Sequence, residues 1–144
     1  MKKIVLLFLI GTAILQSCGG RDENNLTEED LEFINEIIPL EEGEEIELFE
    51  TNGGLNGFKT AGNFITNLKL AHYWIDGENV EAYSLKYNQI DSIKTVDRTK
   101  ETTYASYLEV YGENQSNFKI YIDADSARTW KFFMKALENW SNTK

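Results

Sequence analysis

The sequence predicts an α+β domain that is mainly β. Seven antiparallel strands close into a barrel, a C-terminal helix caps it, and a short extra helix precedes it. Three observations carry this reading. Alternating apolar and polar residues recur in short runs between residues 46 and 123, separated by turn-forming residues. Within Phe64–Val96, Leu68, Leu70, His72 and Trp74 share one parity up to Asp76-Gly77, a pair that tolerates positive φ and signals a hairpin. Ala127, Trp130, Phe133, Met134, Leu137 and Trp140 then form an apolar stripe at helical spacing.

The first 17 residues read as a signal peptide. Lys2 and Lys3 form its charged start, and the apolar run Ile4–Leu15 is too short to span a bilayer. Leu15-Gln16-Ser17-Cys18 resembles the lipobox of bacterial lipoproteins, in which the cysteine is lipidated and becomes the first mature residue. Cys18 is the single cysteine, so no disulfide forms within one chain. Multiple acyl chains on it would anchor the protein stably, since each buried CH₂ contributes roughly 0.8 kcal/mol. Residues 18–26 then form a polar tether. An aspartate after the cysteine commonly marks inner-membrane retention. Gly19 stands there instead, so the resemblance implies the outer membrane. Asp22-Glu23 is similar to short acidic export signals of some surface lipoproteins, and it also suits a plain solvated linker.

A domain over 27–144 follows. Its first helix, 27–38, starts at Thr27, pairs Thr27 with Asp30 as a cap, and places Glu28, Glu29 and Asp30 on the N-terminal dipole. Leu31, Ile34 and Ile38 share a face, and Pro39 ends the helix. This face is expected to pack on the barrel. The run Glu41–Glu45 lacks the ligand spacing of a calcium loop and suits a turn at Gly43. Strands are expected over 46–50, 58–66, 68–75, 80–87, 90–98, 103–111 and 117–123. Thr51–Gly57 is a glycine-rich loop, and the three-residue step from Ile90 to Ile93 implies a bend or bulge. Asp123 or Asp125 caps the last helix, 124–141.

The order of these pieces resembles bacterial pleckstrin-homology-like domains, in which seven strands precede one helix. The family's F-x-T-N-x-x-L junction reads here as Phe64–Leu70, FITNLKL, one residue short of the commonest spacing. Its Y-x-x-I-x-x-I segment reads as Tyr87–Ile93. The resemblance covers about Leu40–Trp140, and it implies a glutamate just before the first strand, which Glu44 or Glu45 supplies. Inositol-phosphate-binding members carry a basic cluster between strands one and two. Thr51–Gly57 has no base, and only Lys59 follows it, so no phosphoinositide ligand is expected.

Charge narrows function further. The formal net charge is −10, and loss of Lys2 and Lys3 takes it to −12. Residues 19–50 hold thirteen acids against Arg21 alone, whereas 51–144 balance eleven acids with eleven bases. Nucleic acid would need clustered Lys and Arg, and none is present. His72 is the only histidine and lacks a second histidine or cysteine for metal or nucleophile chemistry. Ser84, Ser92 and Ser106 lack a nucleophile-elbow context, and no phosphate-binding or dinucleotide motif occurs. No enzyme, cofactor or metal is therefore expected.

Two readings stay open: an outer-membrane-anchored lipoprotein acting as a non-catalytic interaction module of the envelope, or an envelope binder of a small apolar or lipidic ligand. Exposed aromatics on a strand face favour the first, and a cavity beneath Trp130 and Trp140 the second. If Leu108 and Val110 face inward, then Tyr107, Tyr111 and Tyr121 face outward as a candidate contact patch, with Tyr107 opposite Tyr121 and Glu109 opposite Lys119.

Overall fold

The computed structural model describes residues 25–51, 57–113 and 116–144. Cys18, residues 1–24 and most of the Thr51–Gly57 loop lie outside them. The first helix, α1 (Glu28–Ile37), begins with a capping box: the Thr27 hydroxyl accepts from the Asp30 N–H at 3.3 Å, and the Asp30 carboxylate accepts from the Thr27 N–H at 2.9 Å. It ends where Ile38, before Pro39, turns extended.

Strands β1 (Ile46–Glu50), β2 (Ala61–Thr66), β3 (Lys69–Asp76) and β4 (Asn79–Lys86) form one antiparallel sheet in sequence order. Strands β5 (Ile90–Val96), β6 (Ser106–Gly112) and β7 (Asn117–Ile122) form a second. The β3–β4 turn is Gly77-Glu78, one residue later than expected, because Asp76 still pairs with Asn79. Gly77 takes φ 61 there, which favours glycine. A 3₁₀ turn, Tyr87–Gln89, carries the chain between sheets, and a register shift follows between Ile90 and Ser92. The irregular Ile90–Ile93 spacing is the sequence trace of that shift.

Several expectations need correction. The sheets do not close into a barrel: among the described residues no ladder joins β4 to β5 or β7 to β1. The 3₁₀ turn interrupts the first junction. Side chains link the sheets elsewhere, as where Asn63 Nδ2 donates to the Tyr121 carbonyl at 2.6 Å. Strand two starts at Ala61 rather than Phe58, because Gly57–Thr60 coils into a single helical turn, α2. Leu31 of α1 is 37% exposed, and the docked face is Ile34 and Ile38 with Phe33 and Ile37 beside them.

Two cores result, one on each side of the first sheet. Leu48, Ile65 and Leu70 face the second sheet and pack with Leu108, Val110, Ile120 and Ile122. Phe49, Phe64, Ala71 and Tyr73 face the other way and are covered by α1. All six residues of β2 are buried for this reason. The Tyr73 ring lies over Gly62, where an added Cβ would meet its Cε1 at 2.3 Å.

The final helix, α3 (Ser126–Ser141), starts at Asp125, whose carboxylate accepts from the N–H groups of Ala127 and Arg128. Its buried face is Thr129, Phe132, Phe133 and Ala136. The expected stripe is therefore rotated. Trp130 is 61% exposed and Met134 45%, while Phe132, placed off the stripe by its spacing, is buried. Anchors at both ends fix this phase. Arg128 Nε donates to Glu50 at 3.0 Å near one end. Near the other, Asn139 Nδ2 donates to Glu47 and to the Thr66 carbonyl, and Trp140 Nε1 to the Ile90 carbonyl at 2.9 Å.

Candidate functional site

Contacts of α3 fall on Glu47, Glu50, Thr66, Tyr87 and Ile90, so the helix covers the side of the inter-sheet space formed by β1, β2 and β5. A cleft of about 620 Å³ lies between β3–β4 and β7, lined by His72, Trp74, Glu81, Ala105, Tyr121 and Asp123. Its position follows from strand alternation: His72 and Trp74 have the parity of Leu70, which faces the inter-sheet core, and Glu81 sits opposite Trp74 in the β3–β4 register.

His72 is a structural side chain of this cleft. Its Nδ1 lies 2.7 Å from Asn63 Oδ1, and Asn63 spends its amide on the Tyr121 carbonyl. Since Asn63 presents oxygen to the ring, Nδ1 carries the proton in that bond. Burial is the largest influence on His72 and holds its pKa below the usual 6.5, against the opposing pull of the Glu81 carboxylate and the Gly62 carbonyl. Among the described residues, no three His, Cys, Asp or Glu side chains gather as a metal site would require.

The outer face of β6–β7 has the geometry its alternation implies. Tyr107 pairs with Tyr121 and Glu109 with Lys119. The tyrosine rings lie 5.5 Å apart, and Tyr111 and Tyr121 are exposed. Lys119 Nζ lies 3.1 Å from Glu109, with Lys94 at 3.4 Å on its other side. The hydrogen bond from Lys119 is the chief influence holding the Glu109 carboxyl below its usual range, and it raises Lys119 in turn. Lys119 Nζ also sits 4.8 Å above the Tyr107 ring, and Arg98 lies 5.0 Å from the Tyr104 ring. Of these rings, Tyr107 and Tyr104 have cations of their own.

Sequence reasoning placed His72 and the tyrosines but not the cleft. Its walls come from residues as far apart as His72 and Asp123, joined only by the docking of the two sheets. Trp130, expected to roof a cavity, is on the solvent side of α3. Cys18 lies outside the described residues.

No protein-family model matches the chain, and no curated protein matches it. The search of solved structures finds a crystal structure of a DUF1696 family protein with a pleckstrin-homology domain from Shewanella loihica PV-4. It superposes with a TM-score of 0.55 at 15% identity, over 81% of this chain and 93% of that one. At this identity the likeness is one of fold: the chain has a pleckstrin-homology-like fold of two antiparallel sheets and a C-terminal helix.

Proposed function

We propose that this chain is an outer-membrane-anchored lipoprotein whose pleckstrin-homology-like domain is a non-catalytic interaction module of the cell envelope, facing away from the cytoplasm. The anchor reading rests on Leu15-Gln16-Ser17-Cys18 and on Gly19 after the cysteine. No described helix is long and apolar enough to cross a membrane, so attachment in this reading falls to lipid on Cys18.

The observation that carries the module reading is the concentration of exposed aromatics on strands. Trp74 and Tyr83 are about half exposed on β3 and β4, and Tyr111 and Tyr121 stand out on β6 and β7. Large rigid aromatic side chains supply contact area at low entropic cost. Tyr107, Tyr111 and Tyr121 form the candidate contact patch on the outer sheet face. Both sheets also end in open edges, and β4 is exposed along nearly its whole length.

The test is a crosslinked pulldown of the Cys18-anchored protein from native envelopes. One reproducible protein partner is the expected result. Co-purified lipid with no protein would overturn the module reading in favour of a small apolar-ligand binder.

A further inference from the structure

We propose that the cleft between β3–β4 and β7 binds an organic cation, a guanidinium or alkylammonium group seated against Trp74 between the carboxylates of Glu81 and Asp123. The proposal rests on the reading of this domain as a binder but not on its anchor, and it shares only Tyr121 with the tyrosine patch.

Three observations converge on this ligand class. First, the cleft is an open recess of about 620 Å³, room enough for a side-chain-sized group. Second, its described lining contains two carboxylates and no lysine or arginine. Glu81 and Asp123 are both solvent-exposed, and among the described residues no ion pair engages either one. Third, Trp74 is 45% exposed and has no cation over its ring among the described residues, although Tyr107 on the neighbouring sheet and Tyr104 just before β6 do. Tryptophan is the best aromatic partner for a cation.

Together these make an acidic, aromatic recess without its own positive charge. An anion would meet two like charges there, and a neutral group would draw nothing from the two carboxylates. A cation satisfies both carboxylates and uses the indole face. The floor is stiff, because His72 is hydrogen-bonded to Asn63, which is tied in turn to the Tyr121 carbonyl. Less ordering is therefore needed on binding.

The test uses the full chain purified in a neutral detergent and labelled with ¹⁵N. The Trp74 indole N–H signal is identified by its loss in Trp74→Phe, then followed during titration with n-butylguanidinium chloride, n-butylammonium chloride and the neutral isostere n-butylurea. The two cations should shift the signal saturably, and n-butylurea should not. Glu81→Gln with Asp123→Asn should weaken the cations by about tenfold, with thermal stability kept because these side chains lie at the surface. Equal binding of n-butylurea, or no shift with either cation up to about 0.1 M, overturns the proposal. The urea comparison is made on the unaltered protein, so it decides the matter even where a variant misfolds.

A further arm separates the source of the cation. If acetyl-Ala-Arg-Ala-amide binds as well as n-butylguanidinium, the group is presented on a protein chain. If the peptide binds much worse, the ligand is a small free cation. A protein partner recovered from envelopes without cation binding would remove this proposal and leave the module reading standing. Cation binding with no partner would do the reverse.

Discussion

Replacing Lys69 with methionine tests how the segment after α1 is held to the first sheet. Lys69 and Glu44 form a buried pair at 3.1 Å, with side chains 6% and 0% exposed. The ammonium also donates to the Pro39 carbonyl at 2.7 Å. Glu44 accepts from the Thr66 hydroxyl at 2.6 Å and from the Glu41 N–H at 2.8 Å. Lys69→Met fills similar volume but leaves the Glu44 carboxylate buried without its counter-charge. Removing one partner of such a pair costs about 3–5 kcal/mol. At about 4 °C per kcal/mol for a domain of this size, Tm should fall by roughly 12–20 °C. Adding Glu44→Gln removes the orphan charge, and its one amide oxygen keeps one of the two bonds, since Thr66 and Glu41 donate to different carboxylate oxygens. The double variant should return to within about 2 kcal/mol of the parent. Urea unfolding measures both. A loss under about 1 kcal/mol for Lys69→Met, or a double variant no more stable than the single, would refute the reasoning.

Four further outcomes are expected. Phe133→Ala should cost about 3–5 kcal/mol, whereas Trp130→Ala, on the exposed face of α3, should stay within about 0.5 kcal/mol in the same melts. Stability should fall as pH drops from 7.5 toward 5.5, because the unfolded chain takes up a proton near 6.5 that buried His72 refuses until lower pH. His72→Gln should flatten that part of the profile. Tyr107→Ser with Tyr121→Ser should lower stability by about 0.2–1 kcal/mol while reducing recovery of any partner that uses the patch; a collapse of the fold would end that hypothesis. Cys18→Ala should leave the protein unprocessed or soluble in fractionation, and a mutant still membrane-bound and processed as before would contradict the anchor.

The strands were legible because alternation and turn chemistry act locally. The register of Tyr107 with Tyr121 and Glu109 with Lys119 follows from inward Leu108 and Val110 across one short turn. What stayed hidden depends on tertiary docking. The stripe through Trp130, Met134 and Leu137 and the face through Thr129, Phe132 and Ala136 share Phe133, so spacing alone does not set the phase of α3. Hydropathy favours the first, and the anchoring of Arg128, Asn139 and Trp140 selects the second. Strands β1 to β3 hide a second apolar side because α1 covers what would be a solvent face, so burial there exceeds simple alternation. The cleft carries no local signal, since Trp74 and Glu81 come together only across the hairpin, and Tyr121 and Asp123 only through sheet packing.

The central claim is that this domain is an interaction module of the envelope, and its sharpest form is that a partner's cationic group enters the cleft between the sheets. Placing a photo-crosslinking amino acid at Ala105, on the cleft lining, and separately at Glu32, on the exposed side of α1, tests it in native envelopes. The account predicts one discrete adduct from position 105, competed away by n-butylguanidinium, and none from position 32. Adducts from position 32 with none from position 105, or a position-105 adduct indifferent to the cation, would contradict it.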